Sequence, residues 1–77
     1  MDQTNETSME QTSEKLKFLL NHWAEHNEEH KKSFVKWIEK AKSIGLDDAA
    51  VNLAKAVDAI DKATKYLKKG LKSVEDG

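Results

Sequence analysis

The sequence Ser-Ile-Gly-Leu-Asp at residues 43–47 has the features of a turn between two helices. Glycine readily takes the left-handed conformation that ends many helices, so Gly45 is predicted to close one helix, with Leu46 folding back near Ala41. Asp47 is predicted to be the N-cap of the next helix, because its carboxylate accepts hydrogen bonds from the first free backbone N–H groups. The turn therefore predicts two helices that pack against each other.

Apolar residues recur at steps of three and four on both sides of this turn, which is the spacing of one helix face. The longest such series follows the turn and resembles the seam of a coiled coil; it consists of Leu46, Ala50, Leu53, Val57, Ile60, Thr64, Leu67, Leu71 and Val74. Shorter series before the turn are Leu16, Leu19, Leu20 and Trp23, then Phe34, Trp37, Ile38, Ala41 and Ile44. There is no proline and no alternating pattern, so the fold class is predicted to be all-α.

We expect a small three-helix bundle, with helices at about 13–26, 28–44 and 47–74. Asn27 is a good N-cap and is followed by two glutamates, so it is the predicted joint between the first two helices. The alternative is a long two-helix antiparallel hairpin. The bundle is preferred because a bare hairpin has difficulty burying two tryptophans and two phenylalanines, and Trp23 and Trp37 are expected in the core.

The predicted organisation is one helical domain at residues 12–74, with short segments outside it. Residues 1–11 are polar and are expected to form a disordered tail. Thr12 and Ser13 can cap the first helix, and residues 75–77 are expected to form a C-terminal tail.

The composition limits the classes of function. All 13 basic residues are lysines, and the formal net charge is −1. Nucleic acid is therefore an improbable ligand, since its specific recognition leans on arginine and a basic surface. Without cysteine there are neither disulfides nor thiolate metal sites. No signal peptide and no apolar run of about 18 residues is visible, so no membrane span and a cytoplasmic location are expected.

The three histidines of the chain, His22, His26 and His30, lie four residues apart. This spacing places them on one side of a helix, and imidazole is the commonest protein ligand for late transition metals. On a straight helix the outer Cα atoms would be roughly 12 Å apart, so only neighbouring pairs could hold one ion. A bend at Asn27 would bring all three imidazoles together.

Carboxylates beside the histidines are predicted to complete such a site. Glu25 or Glu29 is expected to supply an additional ligand, and Glu28 lies close by in sequence. Asp58 and Asp61 are weaker candidates, which an antiparallel helix would bring near His30. The ligands are compatible with nickel, cobalt or zinc, since imidazole alone does not select among them.

The segment from His22 to His30, His-Trp-Ala-Glu-His-Asn-Glu-Glu-His, resembles the core of a family of small helical domains of unknown function. That family shares the pattern His-Trp-x-x-His-Asn-x-x-His and occurs mostly in anaerobic bacteria and archaea. The resemblance covers roughly residues 14–72 and includes Phe34, Trp37 and Ile38. It implies that the three histidines act as one unit, and it implies no particular activity.

We expect a small divalent-metal-binding domain that uses the histidine triplet for sensing, storage or delivery. The alternative is a non-catalytic helical module that binds a protein partner through a histidine-rich, pH-responsive face. A monomer or a weak homo-oligomer is expected. An enzyme is not expected, because no loop is long enough to form a catalytic pocket.

Overall fold

The computed structural model describes the backbone of residues 2–77 and the side chains of residues 8–77. Within these residues the chain forms two α-helices and no strand. Helix α1 spans Asp2–Ser43, and helix α2 spans Asp47–Asp76 and packs back along it. The all-α class is confirmed. The three-helix bundle is wrong, and the fold is the long antiparallel hairpin that was named as its alternative.

The turn between α1 and α2 has the predicted backbone conformation. Gly45 has a φ of 79°, in the left-handed region. The Leu46 N–H donates to the Ala41 carbonyl at 2.9 Å, and the Gly45 N–H donates to the Lys42 carbonyl at 3.1 Å. This pair of bonds is the Schellman motif, so the predicted closure by Gly45 and the return of Leu46 are confirmed.

The predicted N-cap of α2 is wrong by one residue. Asp47 is the first residue of α2, and Leu46 occupies the N-cap position without a side-chain capping bond. The Ala50 N–H donates to the Leu46 carbonyl at 3.0 Å. Asp47 and Asp48 nevertheless lie in the first turn, where the helix dipole favours negative charge.

Helix α1 runs straight through Asn27, so the predicted joint is absent. The reason is the packing of the residues on either side. Positions at alternating steps of three and four are buried or half-buried from one end of the pairing to the other: Leu20, Ala24, Asn27, Lys31, Phe34, Ile38 and Ala41. A break would interrupt this series, whereas an asparagine inside a helix costs only about 0.5 kcal/mol.

Two contacts fix the register of the hairpin. A Cβ atom at Gly70 would lie 3.6 Å from Leu20 Cδ2. Lys31 Nζ lies 2.9 Å from Asp61 Oδ1. By this register Trp23 lies across from Leu67, and Trp37 lies across from Leu53.

The buried core of this hairpin is small. Among the described side chains only three alanines and one threonine are buried: Ala24, Ala41, Ala50 and Thr64. Trp23 is 42% exposed and Trp37 is 54% exposed. Their expected burial in the core is therefore wrong, because two helices have no third layer to cover them.

The ends of the helices differ from the predicted boundaries. Helix α1 continues through Thr12 and Ser13, where a start was predicted, and α2 ends at Asp76. A tail was predicted over residues 1–11. Of these residues, Met1 and the side chains up to Thr7 lie outside the described part of the chain. In the part of the chain that the structure describes, neither helix is long and apolar enough to cross a membrane.

Candidate functional site

The three histidines form a row along the outside of α1, which we call the histidine row. All three side chains are exposed. The ring centroids of His22 and His26 are 6.0 Å apart and nearly parallel. Those of His26 and His30 are 4.4 Å apart at an interplanar angle of 67°. The structure thus brings His26 and His30 closest together, and His22 stands one turn further along.

Two phenylalanines extend this row at the same four-residue spacing. Phe18 stacks on His22 with centroids 6.0 Å apart, and Phe34 lies 6.1 Å from His30 at a tilt of 45°. Both phenylalanines were expected only as core residues, so this continuation of the row was not predicted. The spacing alone, residues 18, 22, 26, 30 and 34, would have revealed a line of five rings.

The absence of a bend at Asn27 limits how the histidines can bind one ion. A straight helix keeps His22 and His30 two turns apart, so they do not converge as the triple site required. Within residues 8–77 no group of three or more histidine, aspartate or glutamate side chains is arranged to hold a metal ion. What remains is a pair of histidines four residues apart, the helical ligand pair found in zinc proteases.

The glutamates predicted as additional ligands lie beside the row. Glu25, Glu28 and Glu29 line one shallow surface depression with His22 and His26. Glu25 Oε1 accepts a hydrogen bond from Asn21 Nδ2 at 3.1 Å. Glu29 Oε1 lies 3.7 Å from Lys32 Nζ. Both carboxylates therefore already have a partner on α1.

Asp61 contacts a lysine rather than a histidine. Its 2.9 Å ion pair with Lys31 joins the two helices. The hydrogen bond to Asp61, and then the charge of the same carboxylate, raise the pKa of Lys31 above its ordinary value, and Glu28 adds to this effect. The main structural effect of this ion pair is to fix the register of the two helices.

The side of α1 away from the Lys31–Asp61 ion pair carries a row of large uncharged side chains spaced seven residues apart, at Leu16, Trp23, His30 and Trp37. His30 thus belongs to this row and to the histidine row. Positions seven apart lie on one stripe of a coiled helix. Leu16 is 38% exposed, and the two tryptophans are more exposed still. The row lies one position to the side of the residues that face α2, so α2 covers it only in part.

Helix α2 continues this uncharged surface. Its residues Leu53, Ile60, Leu67 and Val74 are also seven apart; they are half-buried because they pack on α1, and their remaining surface adjoins the row on α1. Val74 lines a depression together with Leu16. Smaller residues recur beside them, again seven apart: Ala49, Ala56, Ala63 and Gly70. Together these three rows contain no lysine, aspartate or glutamate. We call the three rows, on α1 and α2 together, the open face.

The chain belongs to the family of the domain of unknown function DUF8180, whose model matches residues 16–74. These residues include the histidine row and the open face. No curated protein and no solved structure matches the chain. Family membership therefore gives no activity, and function must be argued from the two surfaces.

Proposed function

We propose that this chain is a non-catalytic protein-interaction module that binds another helical layer through the open face. The observation that supports this proposal is the exposure of Trp23 and Trp37 in uncharged rows along one side of the hairpin. Large contiguous apolar patches on small proteins mark interaction sites. Tryptophan is also enriched among the residues that dominate binding energy at interfaces.

The asymmetry between the two sides of the hairpin supports the same proposal. The side of the hairpin away from the open face carries the Lys31–Asp61 ion pair and the Lys17–Glu14 ion pair, and it suits contact with water. The open face has no such pairs among the residues that define it. The side with the ion pairs also exposes Val35 and Val51, whereas the rows of the open face contain no charged side chain. A two-helix layer of this kind has half of the core of a helical bundle, and a further layer over the open face would complete it.

The test uses the fluorescent probe anilinonaphthalene sulfonate, which reports exposed apolar surface. A Trp23→Glu/Trp37→Glu variant is compared with a Val35→Glu/Val51→Glu control, whose two valines are 45% and 53% exposed but lie off the open face. Probe emission and circular dichroism are read over a dilution series. We expect emission from the wild-type monomer and the valine variant, and its loss in the tryptophan variant with helicity retained. Equal emission from all three chains would contradict the proposal.

Divalent-metal binding is the second candidate function, and the 4.4 Å approach of the His26 and His30 rings favours it. In this proposal the pair holds nickel, cobalt or zinc for sensing, storage or delivery, and Glu29 or Glu25 is recruited from its present partner. Two histidines leave at least two positions of a tetrahedral ion open. These positions would be filled by a carboxylate, by water or by the binding partner.

Calorimetric titration with each of the three metals tests this second function. His26→Ala is expected to abolish binding, because His26 belongs to both neighbouring pairs. His22→Ala is expected to retain it, since the closer pair is intact. Dissociation constants weaker than about 100 μM, a binding free energy of only about −5.5 kcal/mol, would contradict a dedicated metal site.

A further inference from the structure

The hairpin exposes more surface than a compact chain of its mass. Its accessible surface is 6165 Å². A folded monomer of 8.7 kDa is expected to expose about 4,700 Å², so the excess is roughly 1,400 Å². The radius of gyration, 18.1 Å, also exceeds the roughly 11.5 Å expected of a compact 77-residue domain.

From this surface we infer that the open face binds a second copy of the same chain, forming a four-helix bundle. The inference rests on the proposed function and names its partner. Part of this excess belongs to the start of α1, which extends past the end of α2. If each chain buried about half of its excess, the interface would remove roughly 1,400 Å² in total, the size of a standard specific interface. A second copy is also the partner whose face is known to have the same length and the same lack of charge.

The shape of the open face selects one arrangement of the two copies. Helix α1 contributes a ridge of large side chains, Trp23, His30 and Trp37, whereas α2 contributes Ala56, Ala63 and Gly70 beside it. A two-fold axis parallel to the long axis of the hairpin places α1 of one copy over α2 of the other. Each ridge then lies in the other copy's shallow alanine and glycine row, which matches large residues with small ones.

This arrangement also makes every pair of neighbouring helices antiparallel. The alternative two-fold axis, perpendicular to the helices, places α1 over α1 and α2 over α2. It would press tryptophans against tryptophans on one side and leave alanines facing alanines on the other. Such a mismatch leaves voids, and voids in a core are destabilising. The first arrangement is therefore the one we infer.

Sedimentation equilibrium of the full chain tests the inference, with two variants and two controls. We expect the wild type at twice the chain mass of 8.7 kDa. Trp23→Glu/Trp37→Glu should raise the dissociation constant at least ten-fold, and Val35→Glu/Val51→Glu should not. Ala63→Leu should also weaken the dimer, because the larger side chain fills the row that receives the ridge. Ala63 and Ala54 are both exposed in the single chain, and Ala54 lies beside Ile38 and Val51, off the open face. Ala54→Leu is therefore the matched control that leaves the dimer unchanged.

Each other outcome of this experiment decides a specific claim. A dimer that survives the tryptophan variant overturns the inference, and one insensitive to Ala63→Leu overturns the inferred arrangement. A wild type that is monomeric throughout the concentration range overturns the second copy as partner. If that monomer binds the fluorescent probe, the proposed interaction module survives; if it does not, both proposals fail.

Discussion

Replacing Asn27 with alanine distinguishes two possible structures: a continuous helix α1, and a helix that begins again at residue 27. In the structure Asn27 is half-buried in the interior of α1. Asparagine is a poor interior residue, so Asn27→Ala should stabilise the hairpin by about 0.5 kcal/mol. If Asn27 capped a new helix, the same change would remove a capping bond and cost about 1 kcal/mol. The sign of the effect therefore reports the helix boundary.

Urea denaturation followed by circular dichroism at one fixed protein concentration measures this difference. Asn52→Ala is the control, because Asn52 is solvent-exposed and lies far from both ends of α2. Its replacement should raise the free energy of unfolding by a similar amount whether or not α1 is continuous. A stabilisation of about 0.5 kcal/mol corresponds to about 2–4 °C in melting temperature for a domain of this size. Destabilisation by Asn27→Ala, with Asn52→Ala stabilising, would refute the continuous helix.

Three further changes have expected signs. Gly70→Ala should stabilise the fold by about 1 kcal/mol in urea denaturation, because the added Cβ would meet its nearest side-chain atom at an ordinary 3.6 Å. Gly45→Ala should destabilise it by about 1–2 kcal/mol, since φ is +79° there. Asp61 raises the pKa of Lys31. The contribution of this ion pair to the free energy of unfolding is therefore present while Lys31 is charged, and it is lost as the pH rises through the raised pKa. Asp61→Asn should remove this loss of stability at alkaline pH, as measured by unfolding at a series of pH values.

The sequence predicted the turn well because the signal and its structural cause are both local. Gly45 is followed by a hydrophobic residue, and this is sufficient to specify the Schellman closure. The series from Ala50 to Val74 likewise predicted the face of α2 that packs on α1. In both cases neighbouring residues determine the conformation without reference to the rest of the chain.

The wrong joint at Asn27 shows where local signals fail. Asparagine followed by two glutamates favours a helix start, but this preference is smaller than the combined packing of the residues on either side. The continuous series through Ala24, Asn27 and Lys31 was present in the sequence and indicated one helix. It was harder to recognise because asparagine and lysine occupy positions where apolar residues are usual.

The candidate surfaces could be predicted only in part. The histidine spacing correctly placed the three rings on one helix side, whereas their convergence depended on a bend that is absent. The exposure of Trp23 and Trp37 could not be read from their spacing, because a stripe at helical spacing looks the same whether or not another helix covers it. That question depends on the number of helices, which is a property of the whole chain.

The most direct test of the open face as an interface between two copies is an isotope-filtered NMR experiment. Isotope-labelled chain is mixed with unlabelled chain, so that nuclear Overhauser effects between the two can be observed separately. We expect contacts from the indole protons of Trp23 and Trp37 in one copy to the methyl groups of Ala56 and Ala63 in the other. Indole contacts confined to a single copy, in a chain that remains helical, would contradict the account.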